Sequence, residues 1–260
     1  MKLQRHELFP SQFVKARHVD VWLPKDYSEG KRYAVLYMHD GQNIVEAVSS
    51  IGGISWRIDQ AIERLGKEVI VVGVWNHDEI RWREYLPQQP FESAAFDGVR
   101  SALLKRMGGE SFSDLYLKHL VEEVKPFVDN TYASLPEKQS TIVMGSSMGG
   151  LISLYAISQY PHVFGGAGCV STHWSAGELA LVEEMAKRLP DSAGHKLYFD
   201  YGTRGVDAPY EPLQLKFDEH LRTKGFTEGK NWVTRKFEGA DHNEAAWQAR
   251  VDIPLSFLFS

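Results

Sequence analysis

The run Thr141-Ile142-Val143-Met144 is short, apolar and partly β-branched, and it leads straight into Gly145-Ser146-Ser147-Met148-Gly149-Gly150. Leu151, Ile152, Leu154, Tyr155 and Ile157 follow at a spacing that gives a helix a wide apolar face. A buried strand must therefore turn into a helix within two or three residues, and few architectures do that. In the Gly-x-Ser-x-Gly turn the flanking glycines carry no Cβ to collide with strand or helix. The central residue can then take a strained conformation and project its hydroxyl outward. Ser147 is a candidate nucleophile on this reading, although the same pattern also serves as a tight-packing turn with no chemistry.

The rest of the chain alternates in the same way. Gln4 to Phe9 and Arg17 to Leu23 read as two antiparallel strands, the second stopped by Pro24. Tyr33 to Met38, Val69 to Val74, Ala167 to Ser171, Lys196 to Tyr201 and Trp232 to Phe237 read as further strands, the first two apolar throughout as parallel strands covered on both faces are. Helices are predicted over Trp56 to Lys67, Leu115 to Val128 with an interruption near Pro126, Ala176 to Leu189, Leu213 to Lys224 and Ala245 to Leu258. Between Arg81 and Gly109 the periodicity fades, with some helix near Arg100 to Met107, as in excursions that form lids or binding loops. Such alternation predicts an α/β chain, a mostly parallel sheet with helices on both faces and antiparallel N-terminal strands, forming one domain over residues 1–260.

Composition narrows the function. A net charge of -5 offers no basic footprint for nucleic acid. No stretch of about eighteen apolar residues occurs to span a membrane, and Met1 to Glu7 lack the apolar core of a signal peptide, so a cytoplasmic location is expected. The one cysteine, Cys169, lies in a strand-like run and reads as a buried thiol. No zinc-spaced His/Cys cluster and no phosphate loop is present, so neither a metal nor a cofactor is expected. The expected partner is a small ester, and oligomeric state is left open.

A serine hydroxyl needs a base within hydrogen-bond reach, and the base needs an orienting acid. In an open α/β sheet both must come from loops at the carboxyl ends of the strands. Of ten histidines, His242 directly follows the last strand in a Gly-containing loop, while His39 and His173 also follow strands. Asp207, past the Gly202-Thr203 turn, is the chosen acid, with Asp200 and Glu211 as alternatives. The order Ser, Asp, His is that of an α/β-hydrolase. The backbone N–H groups of Met148 and Gln42 are the expected oxyanion donors.

Three features then carry a resemblance: His39-Asp40-Gly41-Gln42-Asn43 after an apolar strand, Gly145 to Ser153, and the spacing of Gly239, His242 and Trp247. Over residues 15–258 the chain resembles the esterase D-like "putative esterase" family of α/β-hydrolases, which includes feruloyl and acetylxylan esterases, S-formylglutathione hydrolase, siderophore esterases and mycolyltransferases. The family's acid usually follows a Gly-Thr turn within a residue or two, whereas three residues separate Thr203 from Asp207 here. The resemblance implies a serine carboxylesterase acting through an acyl-enzyme, on a feruloyl or acetyl ester of a sugar, on a siderophore trilactone or on an acyl thioester. An inactive binding domain on the same fold is the non-enzymatic alternative. Trp174, Trp56 and Trp75 are expected to wall the substrate pocket together with Trp82, and Arg81 and Arg83 to offer charge to a carboxylate or sugar.

Overall fold

The computed structural model describes residues 1–46 and 50–260. Its frame is an eight-stranded sheet of β1 (Lys2–Phe9), β2 (Arg17–Leu23), β3 (Ala34–His39), β4 (Val69–Val74), β5 (Thr141–Ser146), β6 (Gly166–Val170), β7 (Lys196–Gly202) and β8 (Trp232–Phe237). The order is β1-β2-β4-β3-β5-β6-β7-β8. β1 and β2 run antiparallel to their neighbours and the remaining strands are parallel.

Because side chains alternate along a strand, each buried strand feeds two cores. Val35, Tyr37, Ile70, Val72 and Val143 face one side, and Leu36, Met38, Val71, Ile142 and Met144 the other. The second side is closed by α1 (Ile58–Arg64), which supplies Ile58, Ala61 and Ile62. The first carries α2 (Arg81–Tyr85), α3 (Gln88–Glu92) and α4 (Arg100–Met107) from the excursion, then α5 (Ser113–Lys118) and α6 (Lys125–Thr131). Also on it are α7 (Met148–Gln159), α8 (Glu178–Ala186) and α9 (Tyr210–Thr223). α10 (Glu244–Gln248) and α11 (Asp252–Leu258) return to the second side through Trp247, Leu255 and Leu258.

Two helices depart from expectation. Leu115 to Val128 is not interrupted at Pro126. A π-helical turn, His119–Val124, joins α5 to α6 without a break, and Pro126 follows directly on that wider turn, which accommodates its ring and missing N–H. By contrast, Ala245 to Leu258 is two helices. A continuous helix would need an N–H at Pro254 to reach the Arg250 carbonyl; instead the chain breaks at residues 249–251, Ile253 donates to that carbonyl at 3.0 Å, and Arg250 turns inward.

Candidate active site

At the carboxyl end of β5 the chain turns at Ser147 with φ 59° and ψ −122°, a conformation side chains seldom take. Neighbours on all sides hold it there. The Ser147 N–H donates to the Val170 carbonyl at 2.9 Å, and the Ser147 carbonyl accepts from Leu151 and from His173 at 3.1 and 3.2 Å. A Cβ on Gly145 would stand 2.8 Å from the Gly149 backbone, and one on Gly150 would stand 3.0 Å from the Val170 carbonyl. Strand, turn and helix approach so closely that a side chain at Gly145 would force the backbone apart and one at Gly150 would press on β6.

The turn after β7 and the loop after β8 are tied together, since Thr203 and Arg204 both donate their N–H to the Ala240 carbonyl. This clamp sets His242 against Asp207, with His242 Nδ1 and Asp207 Oδ1 at 2.5 Å. The three residues between Thr203 and Asp207 are taken up in a short 3₁₀ turn, Gly205–Asp207, which folds the carboxylate back onto the end of β7. There Asp207 Oδ2 accepts from the Gly202 N–H at 2.6 Å and from Ser171 Oγ at 2.7 Å. Burial pushes the Asp207 carboxyl up, but the bonds and charge from His242, with those from Ser171 and Gly202, hold it below its ordinary value. An ionised carboxylate only accepts, so Nδ1 of His242 is the donor, and in the neutral ring the lone pair is then on Nε2. The His242 ring lies 6.2 Å from that of His173, whose backbone N–H donates to the Ser147 carbonyl, so His173 stands between the imidazole and the serine turn.

Asp200 stands one layer below. It accepts from Arg250, from the Ser171 N–H and from the Tyr198 hydroxyl, and meets no histidine. Glu211 is paired with Lys236 at the surface. On the opposite side of the turn, Asp40 takes a left-handed conformation (φ 57°) ahead of the Gly41–Asn43 turn that carries Gln42. Its buried carboxylate receives Arg81 at 2.8 and 2.7 Å and Asn76 at 2.5 Å. Burial pushes this carboxyl up too, and the adjacent Arg81 charge with the bonds from Arg81 and Asn76 brings it below its ordinary value. Asp40 also backs Gly149, where a Cβ would come within 3.1 Å of Oδ2, so the Gln42 turn abuts the start of α7, next to the Met148 N–H.

The three tryptophans expected in the pocket are each engaged by partners within the protein. Trp174 is fully buried, donates to Gln214 at 2.8 Å and packs on Phe217. Trp56 packs against Trp247 in the second core. Trp75 donates to Asp20 of β2 at 2.9 Å beneath the Arg5 guanidinium of β1. Arg81 and Arg83 are likewise engaged within the protein, the first by Asp40 and the second by the Glu110 carbonyl and the face of Phe112. Trp82 does reach the site, edge-on to His173 at 5.3 Å with Arg106 over its own face at 4.6 Å. The excursion that brings it is anchored by Tyr85, Leu86, Phe91, Phe96 and Met107, all buried in the first core.

His39 and His173 are both buried with one nitrogen on a tyrosine hydroxyl, Tyr116 and Tyr210 respectively. Burial pushes His39 down to about 3. Burial, and then the charges of His242, Arg106 and Arg81, push His173 down to about 4. Cys169 is buried, and burial raises its thiol well above the ordinary value. Among the described residues no group of three or more His, Cys, Asp or Glu is placed to hold a metal ion, and no helix is long and apolar enough to cross a membrane.

Residues 11–254 match the family described as "Putative esterase". The chain belongs to that family and is a carboxylic ester hydrolase. The esterase is 25% identical over 250 residues to the uncharacterized protein YbbA of Bacillus subtilis, covering 94% of this chain and 92% of that one. Its fold is shared with an IroE-like serine hydrolase from Shewanella oneidensis (17% identity, TM-score 0.73, 98% of this chain and 80% of that one). It is shared as well with the feruloyl esterase module of Clostridium thermocellum complexed with sinapinate (15% identity, TM-score 0.70, 99% and 88%).

Proposed function

We propose that this esterase works through a serine acyl-enzyme, with Ser147 as nucleophile, His242 as base and Asp207 as its orienting acid. The observation that carries the reading is the 2.5 Å contact of His242 with Asp207, on the same edge of the sheet as the strained Ser147 turn. Ser147 Oγ attacks the ester carbonyl as His242 Nε2 takes its proton. The oxyanion is met by the N–H groups of Met148, at a helix N-terminus, and of Gln42. His242 then protonates the departing alcohol, and water repeats the sequence to free the acid. Ser147→Ala is expected to lose at least about a thousandfold in kcat on a small aryl ester and to escape labelling by a fluorophosphonate. Turnover retained in that variant would remove the nucleophile.

For the substrate we propose a small ester with a flat or sugar-like body, feruloyl or acetyl, lying against Trp82. The sinapinate complex of the related fold supports an aromatic acyl group, and a trilactone or thioester is the second reading. Comparing feruloyl, acetyl, lactone and thioester substrates decides among them. Trp82→Ala should raise KM for the aryl acyl ester about tenfold, the loss of one good aromatic contact, while leaving an acetyl ester little changed.

A further inference from the structure

Ser171 and Arg250 lie behind the acid, and neither has the spacing of a motif. Ser171 follows β6 with φ 44°, a left-handed conformation, and is fully buried. Its hydroxyl meets three partners through one oxygen. Trp247 Nε1 points at it from 3.0 Å and Arg250 Nη2 from 2.8 Å, and both groups can only donate. Ser171 Oγ must therefore accept twice, which leaves its single proton for Asp207 Oδ2 at 2.7 Å. No other orientation of that hydroxyl satisfies all three neighbours.

Resting on the catalytic roles given above, we propose that Ser171 is a positioning residue which conveys the Arg250 charge to Asp207 and thereby sets how strongly the acid holds His242. Arg250 is itself fixed by two bonds to Asp200, at 2.9 and 3.2 Å, and by the face of Phe237. Asp200 in turn holds the Ser171 backbone N–H at 3.0 Å, so the pair fixes both the main chain and the hydroxyl of Ser171. With the proton of Ser171 on Oδ2 and the Gly202 N–H beside it, the Asp207 carboxylate cannot rotate, and Oδ1 stays aimed at His242. The other groups around this dyad are His173 and Tyr210, each about 6 Å from the His242 ring, Glu244 from α10, and Arg81 beyond it. None of them bonds to Asp207 Oδ2, which is held only by the Ser171 hydroxyl and the Gly202 N–H.

The test uses Ser171→Gly, which relieves the positive φ, beside Ser171→Ala, which does not. Without the hydroxyl, Asp207 loses a donor and its connection to a cation, so its charge falls more fully on His242 and stabilises the imidazolium. The acid limb of kcat/KM should move to higher pH by about half a unit or more. In both variants kcat should fall about tenfold or more, the range for one bond to a charged group, with KM within about twofold. The thermal midpoint of Ser171→Gly should stay at or above that of Ser171→Ala. Wild-type kcat with an unmoved acid limb would overturn the proposal. So would a fall in kcat that tracks lost thermal stability with no change in the pH profile. Because Ser147→Ala is assayed in parallel, failure of the catalytic reading would appear there as retained turnover, separate from any result at Ser171.

Discussion

At the scale of single residues, two aspartates seven positions apart have opposite environments. Asp207 is held ionised by His242, Ser171 and Gly202, whereas Asp200, raised by burial that Arg250 only partly offsets, neutralises a cation. Asp207→Asn should lower kcat about a thousand- to ten-thousandfold by permitting the wrong tautomer of His242, with little change in fold by circular dichroism. Asp200→Asn should do the reverse. It leaves Arg250 buried and unpaired, which costs about 3–5 kcal/mol of stability, seen as an earlier urea midpoint, with a smaller loss of kcat. Arg81→Ala belongs with it, because the buried Asp40 carboxylate would keep only Asn76, and a loss of similar size is expected. The pairs themselves could not be read from the chain. His242 and Asp207 were identifiable because each follows a strand that must end on one edge, but an aromatic ring carries no mark of which way it faces. Trp174 follows its strand as closely as a pocket residue would, yet long-range packing on Phe217 buries it.

At the scale of elements, the strands were legible because four to seven apolar residues bounded by turn residues admit little else. Helix ends were less so. The proline at 126 and the one at 254 look alike in sequence, yet a π turn absorbs the first and the second splits its helix, and which occurs depends on what each helix packs against. Ser171 and Arg250 were missed for a related reason. They are 79 residues apart, and only the return of the chain after β8 brings α10 and α11 beside the end of β6. The serine turn is the element most intolerant of change. Gly145→Ala would press a methyl group to 2.8 Å from the Gly149 backbone, so a loss of about 1–3 kcal/mol is expected from overpacking, together with slowed fluorophosphonate labelling as Ser147 is displaced.

At the scale of the whole molecule, buried imidazoles couple stability to pH. In the unfolded chain a histidine titrates near 6.5, whereas the folded protein keeps His39 neutral until about pH 3 and His173 until about pH 4. Over that interval the unfolded state binds more protons, so stability that is fully present above about pH 6.5 drains away as pH falls. From pH 7 to pH 5 the two should together remove roughly 3–4 kcal/mol, and urea melts at the two values would measure it. His39→Asn, which retains a polar partner for Tyr116, should diminish the loss by about half. Asp207 and Asp40 act lower. Held below their ordinary values, they contribute stability above about pH 3.9 that vanishes only as pH falls through their own depressed values.

The last segment of the chain closes the second face of the sheet and also delivers His242, Trp247 and Arg250. On the ribosome, then, the serine turn emerges about a hundred residues before the groups that would activate it. On the proposed catalytic roles, a growing polypeptide carries an inert hydroxyl over that whole interval, and competence arrives when the helices after β8 dock. Fragments released by premature termination or by cleavage in the loop after β8 should accordingly be harmless to cellular esters, however well their remaining strands assemble.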